Sequence, residues 1–238
     1  MEEIESTSAA RGRLVRDLVF AYLLSWAVGI AYGFIIRSST TWDSGSAWER
    51  STLEWFHMPL PGWLDRIVLL MPYTGTNLTL LPLTIGVGWW LWKRKHMGLV
   101  AIQLLVVTLG SLSLNPTMKY MLGRDRPDLY PRRGIYNWAS YPSGHSILTI
   151  ALFFTVAMML YRARGWRWPF VVAVLVFLAN SFSRLYLAVH WPTDIVGGML
   201  IGIAWLFGTW GAFARHRERV GDEIRAVSTP PDLAVVQN

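Results

Sequence analysis

The chain has 238 residues, 53% of them apolar and 16% charged, with a net charge of +7 and no cysteine. That balance, with a mean hydropathy of +0.33, excludes a disordered chain, a nucleic-acid-binding tail protein and most ordinary soluble enzymes. The lack of cysteine excludes a disulfide framework, a thiolate metal site and a cysteine nucleophile. A basic, apolar chain suits two things together, loop charge on a membrane protein and an anionic partner.

Six uncharged runs approach the roughly 17–25 residues that a bilayer crossing needs. The first is 18–36. The second is a lead-in from Ile67 followed by a span over 77–92, because Pro72, Gly75 and Pro82 interrupt the run. The others are 97–118, 146–161 with an extension back towards Tyr141, 168–183 and 195–214. None shows the period-2 alternation of a membrane strand, so the expected fold class is all-α, a polytopic bundle of six transmembrane helices. Glu2, Glu3 and Glu5 precede the first run, which is long for a signal-peptide core, so it is read as a span. The expected organisation is a short N-terminal segment 1–17, one membrane domain 18–214, and a polar, disordered tail 215–238 containing Pro230 and Pro231.

Lysine and arginine near the span ends set the orientation. Arg11, Arg13 and Arg16 precede the first span. Lys93, Arg94 and Lys95 separate the second and third, Arg162, Arg164 and Arg167 the fourth and fifth, and Arg215, Arg217 and Arg219 follow the sixth. Alternating spans put these clusters on one side, which predicts both termini in the cytoplasm. Trp89, Trp90, Trp92, Trp166, Trp168 and Trp210 lie near span ends, as interfacial anchors do.

Three segments then face outward: 37–66, 119–145 and 184–193. The second carries Lys119, Arg124, Arg126, Arg132 and Arg133, against the usual sidedness of positive charge. Arg132 and Arg133 are read as incidental loop charge, and Asp125 and Asp128 as loop salt bridges. His145, Arg184, His190 and Asp194 stand beside other outer span ends, and ionisable groups there point to function. Two histidines, an aspartate, two arginines and a lysine at the outer ends of four spans are placed to converge in one pocket.

The local chemistry suits a phosphoryl group. Pro142-Ser143-Gly144 reads as a turn into a helix N-terminus, where unpaired N–H groups and the helix dipole favour an anion. Ser143 offers a hydroxyl and an N–H, and Gly144 permits close backbone approach. Pro192 suits the first turn of the last span, with His190 just ahead of it. Asp194 is then placed to accept from one imidazole nitrogen and leave the other free as a nucleophile. Lys119 and Arg126 are two helical turns apart and share a face if the third span continues outward. Arg126 and Arg184 offer planar forks for phosphate oxygens, and Lys119 a point charge.

These residues resemble the signature of the type 2 phosphatidic acid phosphatase superfamily, which also includes vanadium haloperoxidases. The pattern K-x6-R-P matches Lys119 to Pro127, P-S-G-H matches Pro142 to His145, and S-R-x5-H-x3-D matches Ser183 to Asp194. Every specified position agrees, in order, across 119–194. The resemblance implies that His190 attacks phosphorus to form a phosphohistidine and that Asp194 orients it. It implies that His145 protonates the leaving oxygen and then activates water. Lys119, Arg126, Ser143, Gly144 and Arg184 would bind the phosphoryl oxygens, with no metal and no cofactor.

The leading expectation is a lipid phosphatase of the cytoplasmic membrane with its active site facing the extracytoplasmic side. Its substrate would be a lipid phosphomonoester or diphosphate: undecaprenyl diphosphate, phosphatidic acid or phosphatidylglycerol phosphate. The expected partners are that lipid and the bilayer, not nucleic acid, with the oligomeric state left open. A vanadate-dependent haloperoxidase-like enzyme and a non-enzymatic anion-binding membrane protein are the alternatives, the first disfavoured by six spans and the second by a complete catalytic set. Segment 37–66, with Trp42, Trp48, Trp55, Phe56 and Trp63, is expected to form an interfacial helix, either a lid selecting the lipid or a plain connection. His57 within it is read as structural.

Overall fold

The structure, a computed structural model, describes residues 2–38, 41–93, 97–131 and 138–228, with side chains from 8 to 220 within those ranges. The expectations for Arg94, Lys95, Arg132, Arg133, Pro230 and Pro231 lie outside the described residues.

Among the described residues all regular structure is helical. The elements are α1 Glu2–Arg37, α2 Ala47–Phe56, α3 Gly62–Leu70, a 3₁₀ turn Met71–Thr74, α4 Asn77–Lys93, α5 Gly98–Leu122, α6 Gly144–Arg164, α7 Trp168–Tyr186 and α8 Pro192–Ser228. Five helices are long and apolar enough to cross a membrane. A sixth crossing results if α3, the 3₁₀ turn and α4 are taken as one span, bent by 51°. The bend falls at Gly75, which packs against Asn180 of α7, and the Asn180 amide donates to Thr74 Oγ1 at 2.9 Å.

The ends of the runs differ from the sequence reading for local reasons. The backward extension towards Tyr141 stops at Gly144, because Ser143 is the extended N-cap of α6. The polar segments on either side of the membrane domain continue α1 and α8: residues from Glu2 belong to α1, and the tail expected to be disordered is helical as far as Ser228. Arg215 and Arg219 of α8 reach Asp17 of α1 at 3.0 and 3.5 Å, and this pairing ties the two helices together beyond their apolar stretches. At the same end the guanidinium groups of Arg162 and Arg217 both lie near the Trp210 ring, 5.8 and 5.7 Å from its centroid.

The core joins α1, α4, α5, α6 and α8 through Ala21, Leu80, Val107, Leu114, Met118, Ile147, Ala151, Ile201 and Trp205. Where helices meet most closely, the residues are small. Gly208 of α8 faces Ala21 of α1, and Gly202 faces Ile150 of α6. Close backbone approach supplies the packing that apolar burial alone cannot drive between helices in lipid. The apolar side chains left exposed, among them Phe20, Ile35, Leu78, Leu83, Val171 and Leu175, lie on outward helix faces as a bilayer requires.

Segment 37–66 contains α2 and the start of α3. Trp48, Trp55 and Trp63 are exposed, as an interfacial element demands, but Trp42 is buried. Glu49 and Leu53 form the buried face of α2. Leu53 packs with Leu185, Trp191 and Ile195, so α2 is seated on the ends of α7 and α8. His57 caps α2 and stacks on Tyr130 with ring centroids 3.6 Å apart.

Candidate active site

Four helix ends meet on one side of the bundle: the C-termini of α5 and α7 and the N-termini of α6 and α8. Between them lies a cavity of about 310 Å³. Lys119, Arg126, Gly144, His145, Arg184 and His190 line it, together with Asn115, Thr76, Asn77 and Trp138. Leu112, Pro116 and Leu148 form an apolar part of the wall. Six of the eight residues singled out in the sequence therefore share one cavity. Asp194 and Ser143 stand behind it.

The sequence put Lys119 and Arg126 on one helix face if the third span continued outward, and in the structure it does not. Helix α5 ends at Leu122, and Gly123 adopts the left-handed conformation (φ 61°) with its N–H on the Lys119 carbonyl at 3.0 Å. That C-cap turns the chain, which then returns Arg126 to the same cavity. Lys119 is buried, and its ammonium donates to the carbonyls of Ser140 at 2.8 Å and of Ala139. Arg126 donates through Nε to the Trp138 carbonyl at 2.8 Å and through its terminal nitrogens to the carbonyls of Val189 and Ala139. Backbone carbonyls thus fix both cations at the cavity wall.

His190 precedes α8. Its Nδ1 faces Asp194 Oδ2 at 3.4 Å, and its Nε2 lies 3.5 Å from Arg126. Burial, reinforced by Arg126, Lys119 and Arg184, holds the His190 imidazole well below its ordinary range. The ring is therefore neutral at pH 7. With Nδ1–H donated to Asp194, the Nε2 lone pair is directed to the cavity. Asp194 is fully buried. Its Oδ2 also accepts the N–H of Trp191 at 2.9 Å. Trp191 directly precedes α8, so an acid in the first turn reaches back to the residue that opens the helix, and this turns the carboxylate towards His190. Across the cavity His145 lies in the first turn of α6, its Nε2 without a hydrogen-bond partner among the described residues.

Ser143 departs from the sequence reading in one respect. Its N–H donates to the Asp194 carbonyl at 3.0 Å and is not available to an anion. Its hydroxyl is buried and has no partner among the described residues. Gly144 abuts Asn115 of α5.

Two residues close to this site drew no functional reading from the sequence. Asn115 lies one turn before Lys119 on α5 and lines the same cavity. Arg124, two residues before Arg126, is fully buried and bonds Asp194 Oδ1 at 2.8 Å and Glu49 of α2 at 3.1 Å. Asn115 could have been found from its i, i+4 spacing to Lys119, whereas nothing local marks Arg124. Asp125 and Asp128, read as loop salt bridges, make no ion pair with the described residues. They line a second, outer cavity of about 580 Å³ with Asp43, Arg50, Arg124, Arg126 and Trp138. Among the described residues no three His, Asp or Glu side chains stand together as a metal site.

Comparison with known proteins bears on this arrangement. Residues 100–218 match the family model described as the PAP2 superfamily. Phosphatidylglycerophosphatase B of Bacillus subtilis is 30% identical over 152 residues, covering 61% of this chain and 73% of that one. An undecaprenyl-diphosphatase of Sulfolobus acidocaldarius is 29% identical over 127 residues, covering 50% of this chain and 55% of that one. The crystal structure of a transmembrane PAP2-type phosphatidylglycerolphosphate phosphatase from Bacillus subtilis superposes with a TM-score of 0.66 at 22% identity, over 84% of this chain and 94% of that one. That likeness shows the shared fold.

Proposed function

The chain belongs to the PAP2 superfamily, and we propose that it is a membrane lipid phosphatase that removes a phosphate from a lipid phosphomonoester or diphosphate through a phosphohistidine. One observation carries the reading. The Nε2 of His190 faces a cavity with three cations, Lys119, Arg126 and Arg184, the nearest of them Arg126 at 3.5 Å, and Asp194 lies behind its Nδ1.

In the first step the Nε2 lone pair attacks phosphorus and the bond from phosphorus to the lipid oxygen breaks. His145 gives its proton to that oxygen. The cations and the N-terminus of α6 at Gly144 stabilise the charge on the three remaining oxygens. Asp194 stabilises the imidazolium as it forms. In the second step His145 takes a proton from water, the water oxygen bonds to phosphorus, and the phosphorus–nitrogen bond breaks. Orthophosphate leaves and His190 is regenerated.

The apolar wall of Leu112, Pro116 and Leu148 supports a substrate whose tail stays in the bilayer while its phosphate enters the polar end. The relatives' names point to phosphatidylglycerol phosphate and undecaprenyl diphosphate as the first lipids to try. The cavity lies at the bundle end opposite Arg162, Arg215, Arg217 and Arg219, and a cytoplasmic position for those arginines puts the site on the extracytoplasmic face.

The test is phosphate release by purified protein in detergent with EDTA present. Phosphatidylglycerol phosphate, undecaprenyl diphosphate and phosphatidic acid are compared, with His190→Ala as control. Metal-independent release that disappears in the variant is expected. No release from any of the three by folded protein would overturn the reading.

A further inference from the structure

Arg124 is a buried side chain beside the site, and neither the signature nor the mechanism above uses it. Each of its three nitrogens has a partner. Nε donates to the Trp42 carbonyl at 2.7 Å. One terminal nitrogen donates to Thr193 Oγ1 at 2.6 Å and to Asp194 Oδ1 at 2.8 Å. The other donates to both Glu49 oxygens at 3.1 and 3.3 Å. The guanidinium carbon also lies 5.0 and 5.4 Å from the ring centroids of Trp42 and Trp191.

Its two acidic partners hold equivalent places. Glu49 accepts the N–H of Ser46, the N-cap of α2, at 3.0 Å. Asp194 accepts the N–H of Trp191, which opens α8. Each acid sits in the first turn of its helix and bonds back to the start of that helix, and one arginine joins the two starts. Thr193 closes the ring by donating to Glu49 Oε1. Because Arg124 holds Oδ1 of Asp194, the carboxylate cannot rotate, and Oδ2 is kept on His190.

We propose that Arg124 and Glu49 are positioning residues for His190, so that the seat of α2 on the bundle sets the orientation of the nucleophile. This rests on the reading of His190 as nucleophile. It makes α2 a strut of the site and not a lid. Removing either residue lets the Asp194 carboxylate turn and the His190 ring lose its single tautomer, while the phosphate cations Lys119, Arg126 and Arg184 stay in place, bonded elsewhere.

The experiment uses the full chain in detergent with two variants, Glu49→Gln and the double variant Glu49→Gln/Arg124→Met, which removes the ion pair together. Kinetics on short-chain phosphatidic acid and ¹⁵N spectra of imidazole-labelled protein are both read, with the His190 signal assigned by His190→Gln. Loss of the outer partner that orients a metal-ligating histidine costs about 10–100-fold, and the same scale applies to an orienting partner one step from His190. We expect kcat to fall in that range in both variants, with KM within about twofold. The His190 signal should be the Nδ1–H tautomer in the parent protein and a tautomer mixture in the variants. An unchanged kcat, or a raised KM at full kcat, or an unchanged tautomer, overturns the proposal. If the double variant does not fold, Glu49→Gln decides, since it keeps the side-chain shape. If the parent protein releases no phosphate from this lipid or from the other two, the enzyme reading alone is defeated, and the tautomer comparison, which needs no substrate, still decides the positioning role.

Discussion

Gly144 begins α6 directly against Asn115 of α5, so that a Cβ at position 144 would lie 2.8 Å from the Asn115 amide carbon. The contact holds the α6 N-terminus at the cavity wall, one helical turn from Lys119. Gly144→Ala is therefore expected to push the two helices apart, at a cost of about 1–3 kcal/mol for an overpacked site. Phosphate release should fall and the thermal midpoint drop. Adding Asn115→Ala should restore the midpoint, and a midpoint unmoved by Gly144→Ala would show that the contact relaxes freely.

Stability should fall on acidification because of His190. Its folded-state value is depressed from the ordinary 6.5 by burial and by Arg126, Lys119 and Arg184. The unfolded chain then binds a proton that the folded chain refuses. Stability from this group is complete above the ordinary value and declines as pH falls below it towards the depressed one. Thermal midpoints in detergent between about pH 7 and pH 5 should drop, and His190→Gln should drop less. Parallel curves for the two proteins would contradict this.

The Tyr141 hydroxyl donates to the Gly29 carbonyl at 2.6 Å and pins the loop before α6 to α1. The phenol is fully buried, and burial pushes its pKa up, so it stays a neutral donor. Tyr141→Phe removes the bond and leaves the α1 carbonyl without it, a loss of about 1–3 kcal/mol. Thermal denaturation of the variant in detergent checks this.

Helix α1 packs on α8 where Gly208 meets Ala21, and a Cβ at 208 would lie 3.2 Å from the Ala21 Cα. Gly208→Val is expected to destabilise the bundle by about 1–3 kcal/mol. A Cβ at Gly86 of α4 would meet no neighbouring atom within 4 Å, so Gly86→Ala should be neutral or gain up to about 1 kcal/mol from helix propensity. Equal midpoints for the two variants would mean that α1 and α8 do not depend on close approach.

The amino-acid sequence by itself determined the helical membrane class and marked most of the residues that the structure gathers at the candidate site. Crossing a bilayer demands an unbroken apolar run, which is visible residue by residue. The signature residues sit beside the ends of those runs, so Lys119, His145, Arg184 and His190 reach one end of the bundle whatever the packing. Only the tertiary structure decided what connects them. Arg124 meets Glu49 and Asp194 across 75 and 70 residues, and Trp42 across 82. Such contacts leave no periodicity or local spacing to read. The same holds for the turn at Gly123, which replaced the expected continuous face of Lys119 and Arg126, and for α2, whose exposed tryptophans hide a buried glutamate on its other side. A buried charge is stable only beside its partner, and which partner it finds depends on how the helices pack.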